Sequence, residues 1–364
     1  MTFTPDTARA WVDVDLGALV ANARTLSALT GSRLLPMVKA NGYGLGAVAV
    51  ARALEPLEPW GYGVASVEEG AVLREAGIGR PILVTSPLLP DSIDDHLAHD
   101  LRPSLGDLTA LRAWCGRSGR PFHVEIDTGM GRAGFRRSDR PALDAAAAIL
   151  GDAPGWEGVY THFHSAEADP ASAVLQWERF RAVVTALPSR RTLAHAANSA
   201  GALCGRAYAG DLVRPGIFLY GGRAGATAPL AVATLRSRVV AVRRIAAGDP
   251  VSYGATWRAT RDTTIATLAL GYGDGFLRAA REHSPALPPR LVELGGALVP
   301  VVGQVTMDMT MVDAGDAAVA PGDVATIFGG RVTLDQQAAA AGTIAYEMLT
   351  ALGGRVPRRY GRQG

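Results

Sequence analysis

One residue in this chain of 364 residues has a side chain suited to bond covalently with a carbonyl compound. Of the 36 basic residues, Lys39 is the single lysine and all the others are arginine. Arginine stays protonated, whereas a lysine amine can lose its proton near neutral pH and form a Schiff base. A general bias toward arginine would also leave one lysine by chance, so the neighbouring residues have to decide between the two explanations.

The neighbours of Lys39 favour a chemical role. Lys39 closes the apolar run Leu34 to Val38 and is followed by a glycine-rich segment, Ala40 to Gly46. This pattern predicts a buried strand that runs into a tight turn. An amine at the end of a buried strand is partly desolvated, and burial favours its neutral, nucleophilic form.

Other polar side chains follow predicted strands in the same way. Each of them, taken alone, is equally well explained as a loop residue or a helix cap. Together with Lys39 they come from five different strands, and the carboxyl ends of the strands carry the active site in (β/α)₈ barrels. The candidates are Glu125, Asp127, His162, Asn198 and Arg214.

The elements that must position these residues alternate regularly between about residues 33 and 221. Short apolar runs predict eight strands, and amphipathic stretches such as 67–76 and 174–186 predict helices between them. Eight strand–helix units favour a closed (β/α)₈ barrel over an open sheet, and no dinucleotide-binding fingerprint follows the first strand. The predicted strands lie near residues 34–39, 61–66, 81–86, 101–104, 121–127, 156–162, 192–196 and 212–220.

After about Pro229 the pattern changes to β-branched runs broken by Gly, Pro and Asp, which predicts a mainly antiparallel β domain. The opening segment 10–15 alternates like a strand, and we expect it to join this second domain. The chain is therefore predicted to be an α/β protein with a (β/α)₈ barrel over residues 10–228 and a β-strand domain over residues 229–364. Strands of the second domain are predicted near residues 235–245, 264–271, 298–305 and 324–328.

Composition excludes several classes of partner. The net charge is only +2 and most arginines are scattered, so we expect no nucleic-acid partner. Cys115 and Cys204 predict neither a disulfide framework nor a metal site. Without a signal sequence or a run of eighteen apolar residues, the chain is expected to be cytoplasmic and to have no membrane partner.

The string VKANGYGLG, residues 38–46, closely resembles the pyridoxal 5'-phosphate (PLP) motif of the alanine racemase family. The resemblance extends from WVDVD at residues 11–15 to RVPRRY at residues 355–360. It implies a PLP enzyme of fold type III that works as a homodimer. It also implies that Lys39 carries the cofactor as a Schiff base and that Tyr43 contacts the cofactor phosphate.

Three further strings resemble the family's cofactor site: HAANSAG at 195–201, RPGI at 214–217 and TIAYE at 343–347. Gly216 lets the backbone approach an anion closely, and Ser199 offers a hydroxyl at the start of a helix. Ser199 alone would be explained as a helix cap. The resemblance implies that the phosphate is bound by Asn198, Ser199, Gly216, Ile217 and Tyr346.

Arg214 indicates the reaction type. In the family this arginine contacts the pyridine nitrogen, and a guanidinium is far too weak an acid to give that nitrogen a proton. The cofactor then remains a weaker electron sink, which favours quick return of the proton to Cα and hence racemisation. The resemblance also implies that His195 orients Arg214 and that His162, in VYTHF, lies beside the ring.

The string HVEIDTGMGRAGF, residues 123–135, resembles another family motif and implies that Arg132 contacts the ring phenolate and the substrate carboxylate. This chain departs from the motif at Glu125, where the family often has a lysine modified to a carbamate that braces the arginine. We hypothesise that Glu125 supplies the carboxylate directly, with an edge-strand carboxylate facing solvent as the alternative. Unchanged cofactor affinity and turnover in Glu125→Gln would contradict the hypothesis.

Racemisation needs a base on each face of the substrate, and one lysine cannot reach both. The string VSYGATW, residues 251–257, resembles the segment that supplies a catalytic tyrosine, Tyr253, from the partner subunit of a head-to-tail dimer. Two other strings, LGYGDGF and VGQVTMDM, imply that Tyr272 lies at the entrance and that the backbone N–H of Met307 meets the substrate carboxylate. Asp308 follows Met307 as in the family.

The expected function is interconversion of L- and D-alanine by two opposed bases, Lys39 and Tyr253 of the partner subunit. Four departures from the family pattern border the entrance or the residues behind the site. Three of them, Gln304, Thr306 and Leu45, leave open a racemase for another amino acid, such as serine, in a specialised pathway. A non-catalytic PLP-binding protein is the third alternative, although it would not need the β domain. A related decarboxylase is disfavoured because it would place a carboxylate where Arg214 stands. The departures are Leu45, Glu167, Gln304 and Thr306.

Overall fold

The computed structural model describes residues 7–278 and 287–361, and its first barrel contains eight parallel strands. Strand β1 (Ala10–Asp15) precedes this barrel and belongs to a second sheet. The barrel strands are β2 (Arg33–Leu34), β3 (Tyr62–Val64), β4 (Ile82–Pro87), β5 (Arg102–Leu105), β6 (Phe122–Asp127), β8 (Trp156–Tyr160), β9 (Leu193–His195) and β10 (Leu212–Val213), with the short β7 (Phe135–Arg136) beside β6.

The eight strands form a closed ring. Hydrogen bonds join them in the order β2-β10-β9-β8-β6-β5-β4-β3. The last gap is closed where the N–H of Val38 donates to the carbonyl of Gly63 (2.8 Å) and the N–H of Gly63 donates to the carbonyl of Pro36 (2.9 Å). The predicted (β/α)₈ barrel is therefore confirmed.

Helices connect the barrel strands, and most of them begin at a side chain that accepts a hydrogen bond from the first turn. Asp15, Ser66, Asp107, Asp139 and Asn198 each cap a helix in this way. In the described part of the chain no helix is both long and apolar enough to cross a membrane. The helices are α1 (Leu16–Thr30), the single turn α2 (Lys39–Tyr43), α3 (Ala47–Leu54), α4 (Val67–Glu75), α5 (Ile93–Ala98), α6 (Leu108–Arg117), α7 (Arg140–Asp152), α8 (Pro170–Ala186) and α9 (Ser199–Leu203).

All eight predicted barrel strands exist, but several are shorter than predicted, the first and the last most of all. The first ends at Leu34, and the chain beyond it makes only an isolated bridge at Met37. The last ends at Val213, because Pro215 has no N–H to continue the ladder and residues 217–220 form a 3₁₀ helix.

The second domain is a closed antiparallel barrel of six strands. They are β11 (Ala233–Ile245), β14 (Thr263–Leu268), β15 (Leu291–Leu294), β16 (Ala297–Val302), β17 (Thr310–Gly315) and β18 (Val324–Phe328). Pairing of β11 with β14 closes the ring. Outside it lie the hairpin of β12 (Pro250–Val251) and β13 (Trp257–Arg258), the helices α10 (Leu334–Ala340) and α11 (Ala345–Thr350), and strand β19 (Arg358–Gly361). The predicted antiparallel β domain is confirmed, although β15 and β17 were not predicted.

The two barrels are connected by β1 and β19. Strand β1 pairs antiparallel with β11 and parallel with β19. From β19, Arg358 Nε donates to the carbonyl of Gly44 (2.7 Å) and Tyr360 Oη donates to the carbonyl of Leu45 (3.0 Å). The second domain therefore holds the glycine-rich segment that follows Lys39.

Candidate active site

A cavity of about 300 Å³ lies at the carboxyl ends of the first barrel's strands. Its wall contains Lys39 from the end of the first strand segment and Arg214 from the segment after the last strand. Every residue that the sequence analysis assigned to the cofactor lines this cavity: Lys39, Tyr43, Arg132, His162, Asn198, Ser199, Arg214, Gly216, Ile217 and Tyr346.

The backbone after Lys39 turns in an unusual way that fixes where the amine starts. The residues from Ala40 (φ 51°) to Gly44 (φ 81°) all have left-handed backbone angles. Glu69 of α4 holds this turn, because its two carboxylate oxygens accept hydrogen bonds from the N–H groups of Ala40 (2.6 Å) and Ala65 (2.7 Å). The turn is thereby tied to the loop after the neighbouring strand β3.

The surroundings of Lys39 favour its neutral amine. Burial lowers the pKa of Lys39 from its ordinary value of 10.5, and the positive charges of Arg132 and Arg214 lower the pKa further. The carboxylate of Glu69 opposes this shift. The amine can therefore act as a nucleophile or a base at a lower pH than a free lysine.

Arg214 is a buried cation whose neighbours accept its hydrogen bonds. Its guanidinium donates to His195 Nδ1 (2.8 Å) and to the carbonyls of Thr161 (2.7 Å) and Ala196 (3.1 Å). It also lies over the ring of Tyr160, 4.9 Å from the ring centre. Burial lowers the pKa of Arg214 to about 10, so the group is still protonated at neutral pH.

His162 contributes an uncharged ring to the same wall. Burial and the nearby charges of Arg214, Arg132 and Lys39 lower the pKa of His162 to about 3. The imidazole is therefore uncharged at neutral pH.

Hydroxyl groups on one side of the cavity suit an oxyanion. Ser199 Oγ accepts hydrogen bonds from the N–H groups of Gly216 (2.9 Å) and Phe218 (3.3 Å). A Cβ atom on Gly216 would lie 2.2 Å from Tyr43 Oη, so only glycine fits beside this phenol. The ring of Tyr346 is 6.0 Å from that of Tyr43. A phosphate group fits this set of donors.

Glu125 and His195 lie behind the cavity wall and are buried. Burial raises the pKa of Glu125, whereas Arg132 and a hydrogen bond with Tyr160 oppose the rise. The Arg132 charge thus acts on Glu125, although no salt bridge of 4 Å or less links the two among the residues described. The edge-strand alternative, with Glu125 facing solvent, is wrong.

Among the contributors to the site that were not predicted are Tyr160 and Glu69. Tyr160 lines the cavity, and its hydroxyl is 2.6 Å from Ser104 Oγ. Its place at the end of β8, two residues before His162, was a signal that could have identified it. Glu69 lies inside a helix, and no local pattern links it to Lys39.

Unlike Tyr346, the other residues predicted from the second domain, Tyr253, Tyr272, Met307 and Asp308, do not line this cavity. Tyr253 lies in the turn of the β12–β13 hairpin and is 67% exposed, and Tyr272 (42%) and Met307 (53%) are also exposed. Asp308 instead accepts a hydrogen bond from Arg355 (2.7 Å). A single chain therefore does not bring Tyr253 and Lys39 together.

The loops that carry these residues are joined to one another. Ser252 Oγ donates to the carbonyl of Gln304 (2.7 Å), and the N–H of Tyr272 donates to the carbonyl of Thr306 (3.0 Å). Tyr253 and Thr306 also line one shallow groove. Tyr253, Tyr272 and Met307 thus belong to one exposed surface, which we call the loop surface.

The chain joins a (β/α)₈ barrel to a β barrel, and one cavity contains a lysine amine, a buried guanidinium and a set of groups suited to an oxyanion. These features define a barrel enzyme that works with a phosphorylated carbonyl cofactor. Comparison with known proteins identifies the family. The family description "Alanine racemase, N-terminal domain" matches residues 14–224, and "Alanine racemase, C-terminal domain" matches residues 232–360. The chain belongs to the alanine racemase family.

Individual relatives agree with this assignment. An alanine racemase of Acidiphilium cryptum is 38% identical over 354 residues, which cover 95% of this chain and 97% of the relative. The structure of alanine racemase from Bartonella henselae with covalently bound pyridoxal phosphate superposes with a TM-score of 0.87 at 30% identity, covering 97% of this chain and 100% of that one. The Bacillus anthracis alanine racemase with bound L-Ala-P gives a TM-score of 0.87 at 31% identity, covering 100% and 97%.

Because Lys39 is the only lysine, its pKa can be measured directly. Methylation of the cofactor-free protein with ¹³C-formaldehyde labels only Lys39 and the terminal amine. An NMR titration should place the pKa of Lys39 below 10.5. Arg132→Met should raise this pKa because it removes a positive neighbour, and Glu69→Gln should lower it further because it removes the negative one. A pKa that does not respond to either substitution would contradict the described charge environment.

Proposed function

We propose that this chain interconverts L- and D-alanine with pyridoxal 5'-phosphate, using Lys39 and Tyr253 of the partner subunit as opposed bases. The observation that carries the proposal is the pairing, in one cavity, of the chain's single lysine with the buried guanidinium of Arg214. Such a site has a base and a hydrogen-bond donor to the cofactor ring, and none of the described residues that line it is a carboxylic acid that would hold the ring protonated.

Each part of the cofactor would meet a group suited to it. The phosphate would be held by the hydroxyls of Tyr43, Ser199 and Tyr346 and by backbone N–H groups near Gly216. Arg214 would face the ring nitrogen, with Arg132 and His162 beside the ring, and Asn198 and Ile217 would complete the wall. When bound, PLP supplies an electron-withdrawing ring that makes the α-hydrogen of an amino acid acidic.

Lys39 has two tasks in this proposal. Its neutral Nζ would hold the cofactor by condensing with the cofactor carbonyl, with loss of water. When the substrate amine displaces it, the free Nζ would accept a proton from Cα or return one to it. The lowered pKa of Lys39 supports both tasks, since each needs the unprotonated amine. Arg132 would bind the substrate carboxylate and keep Cα in reach of Nζ.

The second base would come from another copy of the chain. The loop surface exposes aromatic and methionine side chains, with Tyr253 at 67% and Met307 at 53%. Exposed apolar groups of this kind are typical of interfaces. In a two-fold dimer each loop surface would cover the partner's cavity, so that Tyr253 reaches the substrate face opposite Lys39 and the N–H of Met307 meets the carboxylate. Tyr272 would then lie at the entrance, beside the ion-paired Asp308.

The remaining proposals concern the chain's organisation. The two domain descriptions of the family match residues 14–224 and 232–360, which supports domain limits near 10–228 and 229–364. The unpaired cysteines Cys115 and Cys204 support a reducing compartment such as the cytoplasm.

The function is tested by α-proton exchange in deuterated buffer with PLP. We expect L-alanine to lose its α-proton signal while D-alanine appears, and L-serine and larger amino acids to react more slowly. Lys39→Ala should reduce the rate by about 10²-fold or more, the range of general acid–base catalysis. Racemisation concentrated on another amino acid would contradict the alanine assignment, and exchange with none would indicate a cofactor-binding protein.

Glu125→Gln removes the carboxylate that acts with Arg132 while keeping the side chain's shape. We expect weaker cofactor binding and a turnover lowered by about five- to thirtyfold, equivalent to ~1–2 kcal/mol. Tyr160→Phe provides a comparison, because it removes the hydroxyl that interacts with Ser104 and Glu125 but leaves the Glu125 charge. Equal losses in both variants would assign the effect to the hydrogen bond instead.

The shared site is tested with two inactive variants, Lys39→Ala and Tyr253→Phe. After their subunits are mixed and reassembled, hybrid dimers contain one site with both native bases. Activity should return to about a quarter of the wild-type value, since half of the dimers are hybrids and each has one intact site. A mixture that stays inactive, with hybrid formation shown by mass spectrometry, would place both bases in one chain.

A further inference from the structure

A line of hydrogen bonds leads from Arg214 through the centre of the barrel. The guanidinium donates to His195 Nδ1 (2.8 Å), and His195 Nε2 is 2.8 Å from His123 Nδ1. His123 Nε2 is 3.3 Å from a carboxylate oxygen of Glu157. Arg102 Nε donates to the same oxygen of Glu157 (2.9 Å).

The line joins the two ends of the barrel. Glu157 lies near the start of β8, whereas Tyr160, which lines the cavity, ends the same strand. His123 and His195 are completely buried between these ends, and the side chain of Glu157 is 26% exposed. The line therefore begins in the cavity and ends near solvent at the opposite face.

The two ends fix the direction of every hydrogen bond between them. A guanidinium can only donate, so His195 Nδ1 must accept and its proton must be on Nε2. His195 Nε2–H then donates to His123 Nδ1, which places the His123 proton on Nε2 as well. This proton points at Glu157, and an ionised carboxylate can only accept. Both imidazoles are thus neutral and of the same tautomer.

We propose that Glu157 and His123 are positioning residues that fix the tautomer of His195 and so keep its Nδ1 available to Arg214. If Glu157 did not accept, His123 could carry its proton on Nδ1 and donate it to His195. His195 would then present Nδ1–H to the guanidinium, and two donors would face each other. Glu157 therefore supports from the far end of the barrel the same polarity that Arg214 requires at the cavity.

Nearby groups support this polarity. The ring of Trp60 packs 5.3 Å from that of His123, and burial holds the pKa of His123 below its ordinary value. Burial alone would raise the pKa of Glu157, but the hydrogen bond from His123 and the charge of Arg102 outweigh it and lower the pKa. Glu157 is thus ionised at neutral pH while the histidines are not.

The effect on catalysis rests on the proposed function, whereas the tautomers do not. The experiment therefore measures both on the full-length protein with PLP. Long-range ¹H–¹⁵N NMR of labelled histidine reports which ring nitrogen carries the proton, with assignments from single His variants. Steady-state racemisation of alanine reports kcat and KM.

Three variants test whether Glu157 acts through the tautomer of His195 or only through the stability of the fold. Glu157→Leu removes the acceptor, so His195 should acquire Nδ1–H. We expect kcat to fall by about ten- to hundredfold with little change in KM. This is the loss seen when a metal-bound histidine loses the residue that supports it. Glu157→Gln keeps an acceptor oxygen and should restore the tautomer and most of kcat. The matched control is Glu55→Leu. Glu55 also accepts hydrogen bonds from an arginine, Arg80 (3.0 Å), and from the buried hydroxyl of Tyr62 (2.7 Å), but it lies away from Arg214.

A His195 that keeps Nε2–H in Glu157→Leu would overturn the proposal, as would an equal loss of kcat in Glu55→Leu. If the wild-type protein has the described tautomers but racemises no amino acid, only the proposed function is overturned. If Glu157→Leu does not fold, His123→Gln and His123→Leu test the same link. Glutamine can still accept from His195 Nε2–H and should preserve the tautomer of His195 and kcat, whereas leucine should not.

Discussion

The buried charge of Arg214 is the constraint on which the rest of the site depends. A guanidinium taken out of water is destabilised by several kcal/mol unless its N–H groups find acceptors. Those acceptors are His195 and the carbonyls of Thr161 and Ala196, which follow or end the adjacent strands β8 and β9. The register of neighbouring strands therefore has to be correct before the charge can be accommodated. The same charge then lowers the pKa values of Lys39 and His162.

The second barrel takes part in building the site even within one chain. Strand β19 belongs to its sheet, and the hydrogen bonds from Arg358 and Tyr360 hold the backbone at Gly44 and Leu45. Helix α11 brings Tyr346 to the cavity wall. A change in the last strand of the chain can therefore reach the amine of Lys39 through the backbone, without any substitution in the first barrel.

The parts of the fold that the sequence predicted are those that depend on local pattern. Eight apolar runs located eight barrel strands, and motif residues located the cavity wall from Lys39 to Tyr346. The strand at 212–220 was overestimated because an apolar run does not distinguish a strand from a buried 3₁₀ turn after Pro215. Glu69, His123 and Glu157 were missed because their partners are set by the register of distant strands and loops. The exposure of Tyr253 also follows from a turn that its neighbouring sequence did not reveal.

The left-handed backbone after Lys39 has a consequence for how this enzyme can change. For a residue with a Cβ atom this conformation is destabilising by roughly 1–2 kcal/mol, and Ala40, Asn41 and Tyr43 all adopt it within four residues. The surrounding contacts from Glu69 and the second barrel must outweigh this strain in the folded state. The fold is thus destabilised at the residues that position the Lys39 amine. Selection for a more heat-resistant protein would act against this turn, while selection for turnover would preserve it.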